Sequence, residues 1–192
     1  MTIQEYIKVC KKFEGGLSKD KADSASAHPC PTPYKGVSGY HTNKGITYPV
    51  WVSMFGIEND ERFFIMNDED WFKIFDKLYF SKVRGHEFKS LNCAALVVGM
   101  AWGSGLKQAI LTLQRAISNL GNNIPVDGVI GPKTIAAANL IEPVILFDEL
   151  MRLRIKFFNE IGAPGKTNNK FLKGWLNRAE AYRLNFRPTQ DN

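Results

Sequence analysis

The sequence predicts a mainly α protein with two helical lobes around a cleft and a small hairpin near residues 18–45. Three observations carry this. Apolar residues recur at helical spacing along most of the chain. Strand-like alternation is weak, and there is no internal repeat. The two halves meet in an apolar segment, Leu91 to Gly105, with no flexible linker.

The first helix is marked by Ile3, Tyr6, Ile7, Cys10 and Phe13 at helical spacing, with Thr2 and Glu5 as a capping box. Gly15 and Gly16 read as its stop, since glycine takes the left-handed conformation that ends helices. Glu14 is thereby expected on the last turn, beside the apolar stripe. Partial burial and the negative helix end would both raise its pKa, as a general acid in glycosidic cleavage requires. The alternative is a solvated glutamate at a helix end. Asp23 follows after eight residues and would approach the same cleft if the chain turns between them, or serve as a turn residue.

From Ser18 to Tyr40 the chain is rich in Ser, Pro, Gly, Lys and Asp and reads as loop or short hairpin. Tyr48 to Phe55 is a helical stretch with Pro49 at its start. Asn67 or Asp68 caps the next helix, which turns Trp71, Phe72, Ile74, Phe75, Leu78 and Tyr79 inward. Cys93 to Trp102 reads as a central buried helix. Gly103 and Gly105 interrupt the apolar run before Leu106 to Leu120 resumes it. Asp127-Gly128 marks a turn, Gly131-Pro132 a helix start, Glu142 to Ile161 a long amphipathic helix, and Phe171 to Tyr182 the last one.

The chain has 192 residues, 44% hydrophobic and 23% charged, enough to bury a real core. A net charge of +6 favours polyanionic partners, bacterial wall polymers among them. No zinc-finger or RNA-binding motif and no strong basic run supports nucleic acid. No stretch is long enough to span a bilayer. The N-terminus lacks signal-peptide features, which would fit either a mature form or another route across the membrane, such as phage-type release. Cys10, Cys30 and Cys93 have no CxxC spacing; Cys10 and Cys93 read as core residues. His28 with Cys30 lacks a second ligand pair, so no metal is expected. Trp51 and Trp102 sit in core-like contexts, whereas Tyr48 and Tyr79 are candidates to stack on sugar rings.

The run Glu14-Gly15-Gly16, then Asp23, then Thr42-Asn43-Lys44-Gly45-Ile46-Thr47 resembles glycoside hydrolase family 108, the lysozyme-like muramidases. The second half resembles the peptidoglycan-binding-like domain joined to them, through Leu113-Gln114-Arg115, Val126 to Thr134 and Phe171 to Arg178. The resemblance implies a catalytic lobe over 1–95 and a wall-binding lobe over 96–185. It implies hydrolysis of the β-1,4 bond between N-acetylmuramic acid and N-acetylglucosamine, with no cofactor. Glu14 would be the general acid. The Glu–Asp spacing also resembles phage-type lysozymes, which gives Asp23 an assisting role at the sugar. Thr42 or Thr47 would position water or bind sugar.

Asn43, Lys44 and Thr47 would bond sugar hydroxyls or acetamido groups, or fasten their own loop. Tyr48 and Tyr79 complete the expected substrate-contacting set. Peptidoglycan is the expected partner, the cell wall the place of action, and a monomer the expected state. Three departures from the family pattern stand out: the long run Ser24 to His41 between Asp23 and Thr42, Gly99 where an Asp is usual, and Tyr79-Phe80 for a Tyr-Trp pair. The first two motivate an alternative, a weak or inactive wall-binding protein.

Overall fold

A computed structural model describes residues 3–189, so Thr2 of the expected capping box lies outside the described residues. The backbone falls into two compact units. One is Cys10–Lys77. The other joins the chain up to Val9 with the chain from Leu78 onward.

The first helix, α1, spans Ile3–Lys11. It stops three residues earlier than the sequence predicts. The Phe13 N–H already bonds the Cys10 carbonyl at 2.9 Å, a tight closing turn, and Glu14 lies in the bend beyond it. The helix-end placement of Glu14 is thereby corrected, and it sits past the turn in which the helix dipole acts most strongly.

In the unit Cys10–Lys77, strands β1 (Thr42–Asn43) and β2 (Ile46–Thr47) form an antiparallel hairpin. It lies at and just past the end of the region where a hairpin is expected. Lys44 and Gly45 make its two-residue turn with φ of +48° and +76°. Positive φ at both central positions is the geometry that matches strand twist. A non-glycine residue is costly there, and hydrogen bonds made by Lys44 and its neighbour Asn43 hold the turn in place. The Lys44 ammonium donates to the Met66 carbonyl, and the Lys44 carbonyl accepts from the Trp71 indole at 3.0 Å. The neighbouring Asn43 amide donates to the carbonyls of Phe63 (2.6 Å) and Phe64 (3.3 Å).

Helix α2 (Tyr48–Phe55) follows directly, with proline in its first turn. Two short helical segments come next: a 3-10 turn over Ile57–Asn59, then α3 (Asp60–Phe64). Helix α4 (Asp68–Phe75) is capped by Asn67, whose side chain accepts the Asp70 N–H at 2.8 Å. Trp51, Phe63, Met66, Trp71, Ile74 and Phe75 form the core of this unit. The Trp71 and Phe75 rings stack at 4.9 Å, and Tyr48 meets Phe63 edge-on at 5.5 Å.

The other unit is built on α5 (Leu91–Ser104), which is buried without a break from Cys93 to Ala101. A helix apolar all round belongs inside a core. Gly105, at φ +86°, turns the chain into α6 (Leu106–Asn119). Helix α7 (Pro132–Leu140) and the long α8 (Pro143–Ile161) each carry proline in the first turn, and the Glu142 carboxylate caps α8. Helix α9 (Leu172–Phe186) closes the described chain.

Helices α6, α8 and α9 all pack on α5. Tyr6 of α1 meets α9 through a hydroxyl contact to Tyr182 at 3.2 Å and a tilted ring contact to Phe186. The Arg154 guanidinium, itself buried, lies 4.5 Å from the centre of the Tyr182 ring, a favourable cation–π arrangement.

Candidate active site

Glu14 is half-buried in the bend between α1 and an extended segment. That segment pairs with the hairpin. Leu17 bridges Asn43 in antiparallel fashion, the Ser18 N–H donates to the Thr42 carbonyl at 2.8 Å, and the Lys44 N–H donates to the Gly16 carbonyl at 3.2 Å. Glu14 is therefore delivered just ahead of a strand added to β1. Gly15 makes the bend at φ +61°.

The hairpin has two faces. Thr42 pairs with Thr47 and Asn43 with Ile46. Paired residues in a ladder share a face, and successive residues alternate. Asn43 and Ile46 are each 2% exposed and form the core face. Thr42 and Thr47 share the opposite, less buried face. The Thr47 hydroxyl makes no capping bond to α2, and the Thr42 hydroxyl oxygen, itself buried, has no hydrogen-bond partner among the described residues. Two hydroxyls are thus placed side by side and left uncommitted by the local backbone.

The other expected contact residues divide by role. Asn43 and Lys44 fasten the hairpin, as described above. Asp23 caps a 3-10 turn over Ser24–Ala27, its Oδ1 accepting the Ala25 N–H at 3.0 Å. Tyr48 is 5% exposed, and its hydroxyl donates to Asp60 Oδ1. Burial first, and Asp60 beside it second, push the Tyr48 phenol above its ordinary range, so it remains a donor. Tyr79 belongs to the other unit, in a π-helical turn over Asp76–Phe80 with its ring 4.8 Å from that of Trp102.

Two groups escape the sequence reading. His41 is 1% exposed and bonds the His28 carbonyl through Nε2 at 2.9 Å, while its Nδ1 has no partner among the described residues. Asp60, with Cys30, Lys35, Val52 and Ile57, lines a pocket between the 28–36 segment and α2. The only sequence signal for that pocket is the loop-like composition of 18–40, because its walls lie far apart in the chain. Among the described residues no group of three or more His, Cys, Asp or Glu side chains is placed to hold a metal ion.

The Gly99 departure has a packing explanation. A β-carbon there would stand 2.5 Å from the Tyr182 hydroxyl and 2.6 Å from its ring. The tyrosine fills the space that a carboxylate side chain would need.

Helices around a minimal hairpin, with a half-buried glutamate at its edge, define a mainly α, lysozyme-like protein. Residues 7–105, just over half of the chain, match the family model for glycosyl hydrolase 108, and residues 108–180 match that for a predicted peptidoglycan domain. The chain belongs to the glycosyl hydrolase 108 family. It is similar in fold to the solved structure of Brucella abortus SagA, with a TM-score of 0.65, 23% identity and full coverage of both chains. A comparison with curated proteins gives no match. The family and its companion domain make the protein a glycoside hydrolase acting on peptidoglycan, with the cell wall as its place of action. Among the described residues no helix is long and apolar enough to cross a membrane.

Proposed function

We propose that the chain is an N-acetylmuramidase that cleaves the β-1,4 bond between N-acetylmuramic acid and N-acetylglucosamine, with Glu14 as general acid. The observation that carries this reading is the delivery of Glu14, half-buried, to the strand paired with the Thr42–Thr47 hairpin. Glu14 donates its proton to the glycosidic oxygen as the C1–O bond breaks. The sugar develops oxocarbenium character, water adds at C1, and a base takes the proton that water gives up. Asp23 supports that cation or orients the water. Thr42 and Thr47 supply hydroxyls for water or the acetamido group. Asn43 and Lys44 act by holding the hairpin, and the role of Tyr79 is carried by the resemblance alone.

In this reading residues 1–95 hold the chemistry, residues 96–185 hold the wall, and the protein acts as a monomer. The test is wild type and Glu14→Gln side by side on peptidoglycan sacculi, with released fragments identified by mass spectrometry. Wild type yields fragments with reducing N-acetylmuramic acid ends, and Glu14→Gln loses on the order of 10²–10⁴ in rate. Equal rates from both would remove Glu14 from the mechanism. Reducing N-acetylglucosamine ends would change the bond.

A further inference from the structure

The pocket between the Ser24–His41 run and α2 has no role in the mechanism above. Its volume is about 840 Å³, within the range of small-ligand sites. It lies wholly inside the unit Cys10–Lys77. One wall comes from the segment that lengthens the usual link between Asp23 and Thr42.

That wall is fixed. Buried His41 bonds the His28 carbonyl, and the Tyr48 N–H donates to the His41 carbonyl at 2.6 Å. Tyr34 stacks on Tyr40 at 4.0 Å and meets Phe64 edge-on. A long loop tied at this many points is a built surface.

The lining restricts the ligand. Val52, Ile57, Pro29 and Pro49 make it mostly apolar. Asp60 supplies an anion, one of its oxygens already receiving the Tyr48 hydroxyl, and Lys35 supplies a cation. Tyr48, the one tyrosine in a lining that also includes His28, is 5% exposed and offers no open face on which a sugar could stack. A lipid tail would offer no partner to the Lys35 ammonium or to the second Asp60 oxygen. A short peptide of small residues carrying both an amine and carboxylates matches all three features.

We propose that this pocket binds the peptide stem of peptidoglycan. Alanyl methyl groups contact Val52 and Ile57, a side-chain amine faces Asp60, and a carboxylate faces Lys35. This rests on the reading of the chain as a peptidoglycan hydrolase, and it makes the stem part of what that site recognises. The reach is adequate. From the Gly16–Ser18 segment to β2 is two strand spacings, roughly 10 Å. Tyr48 follows β2 directly. An extended stem of three to five residues spans roughly 10–17 Å.

Two measurements test the proposal. The first is calorimetric titration of wild type, Val52→Trp and Lys35→Glu with a free synthetic stem tetrapeptide of alanine, γ-linked glutamate, a diamino acid and alanine. Wild type binds. Val52→Trp, which fills the pocket, weakens binding at least tenfold, and Lys35→Glu, at an exposed position, weakens it several-fold without affecting the fold. The second is hydrolysis by the same proteins of intact sacculi and of sacculi stripped of stems by an amidase. Wild type shows a lower KM on intact material, and Val52→Trp removes the difference.

Absence of tetrapeptide binding at millimolar concentration, or binding unchanged in both variants, overturns the proposal. Binding lost in the variants, with no hydrolysis of either material, upholds the pocket and sinks the hydrolase reading. Glu14-dependent hydrolysis at equal KM on both materials, with no tetrapeptide binding, does the reverse.

Discussion

The Tyr182 hydroxyl lies 2.5 Å from the point that a β-carbon on Gly99 would occupy. Position 99 on α5 therefore admits no side chain while Tyr182 keeps its place on α9 and its contact with Tyr6. Gly99 and Tyr182 form a complementary pair, one giving up volume that the other fills.

Gly99→Ala is expected to destabilise the protein by about 1–3 kcal/mol, the usual cost of overpacking a tight core. Gly99→Asp costs more, because it adds an ionisable group at a buried position. In a Tyr182→Leu background the alanine penalty shrinks, since the clash partner is gone. Urea denaturation of the four proteins of the cycle checks this. Equal penalties in both backgrounds would show that Tyr182 is not the obstacle.

Asn43→Ala is expected to cost about 2 kcal/mol, because the Phe63 and Phe64 carbonyls lose their donor in a buried place. The loss should appear first in the emission of Trp71, whose indole bonds the adjacent Lys44 carbonyl. If the hairpin is the support of the site, activity on sacculi falls along with stability. Unchanged urea midpoints would mean that the hairpin is held by other means.

Alkaline pH should unfold the protein in a way that two side chains report. Burial, in the main, pushes the Cys93 thiol from its ordinary 9.0 up to about 12, and the Tyr48 phenol is also raised. Both are acids that keep their protons longer when folded. The unfolded chain therefore holds fewer protons than the native one once pH passes about 9 for the thiol and about 10 for the phenol. Stability is full below those values and falls as pH climbs towards the folded pKa, by up to about 1.4 kcal/mol per pH unit for each group. Urea midpoints from pH 8 to pH 11 measure the slope. Cys93→Ala should flatten its first part and Tyr48→Phe its later part; slopes identical to wild type in both variants would refute the assignment.

The helices were legible where caps and periodicity agreed. The Asn67 cap and proline in the first turns of α2 and α7 are local chemistry and read directly from sequence. The end of α1 was not, because Phe13 and Glu14 continue the helical pattern. What stops the helix is the pairing of residues 16–18 with a hairpin some 25 residues onward. The hairpin itself was blurred by strands of two residues and by Lys44 at a positive φ where Asn or Asp is the usual signal. Helix α3 is five residues long and carries too little pattern to see.

Of the candidate site, Glu14 and the threonines could be singled out by type and order, whereas the division of labour within Thr42–Thr47 could not. Which face each residue takes depends on register, and register is set by what the hairpin packs against. The pocket beside α2 was invisible for the same reason, since Lys35, Val52 and Asp60 share no local motif.

The strand that follows Glu14 is held to the hairpin by main-chain groups: Ser18 N–H to Thr42 carbonyl and Lys44 N–H to Gly16 carbonyl. Bonds of this kind do not depend on which side chains the residues carry. Substitutions at residues 17 and 18 therefore leave these bonds, and the strand that follows the carboxylate, in place. Gly15, the bend whose backbone sits at positive φ, is the position where a substitution would be costly.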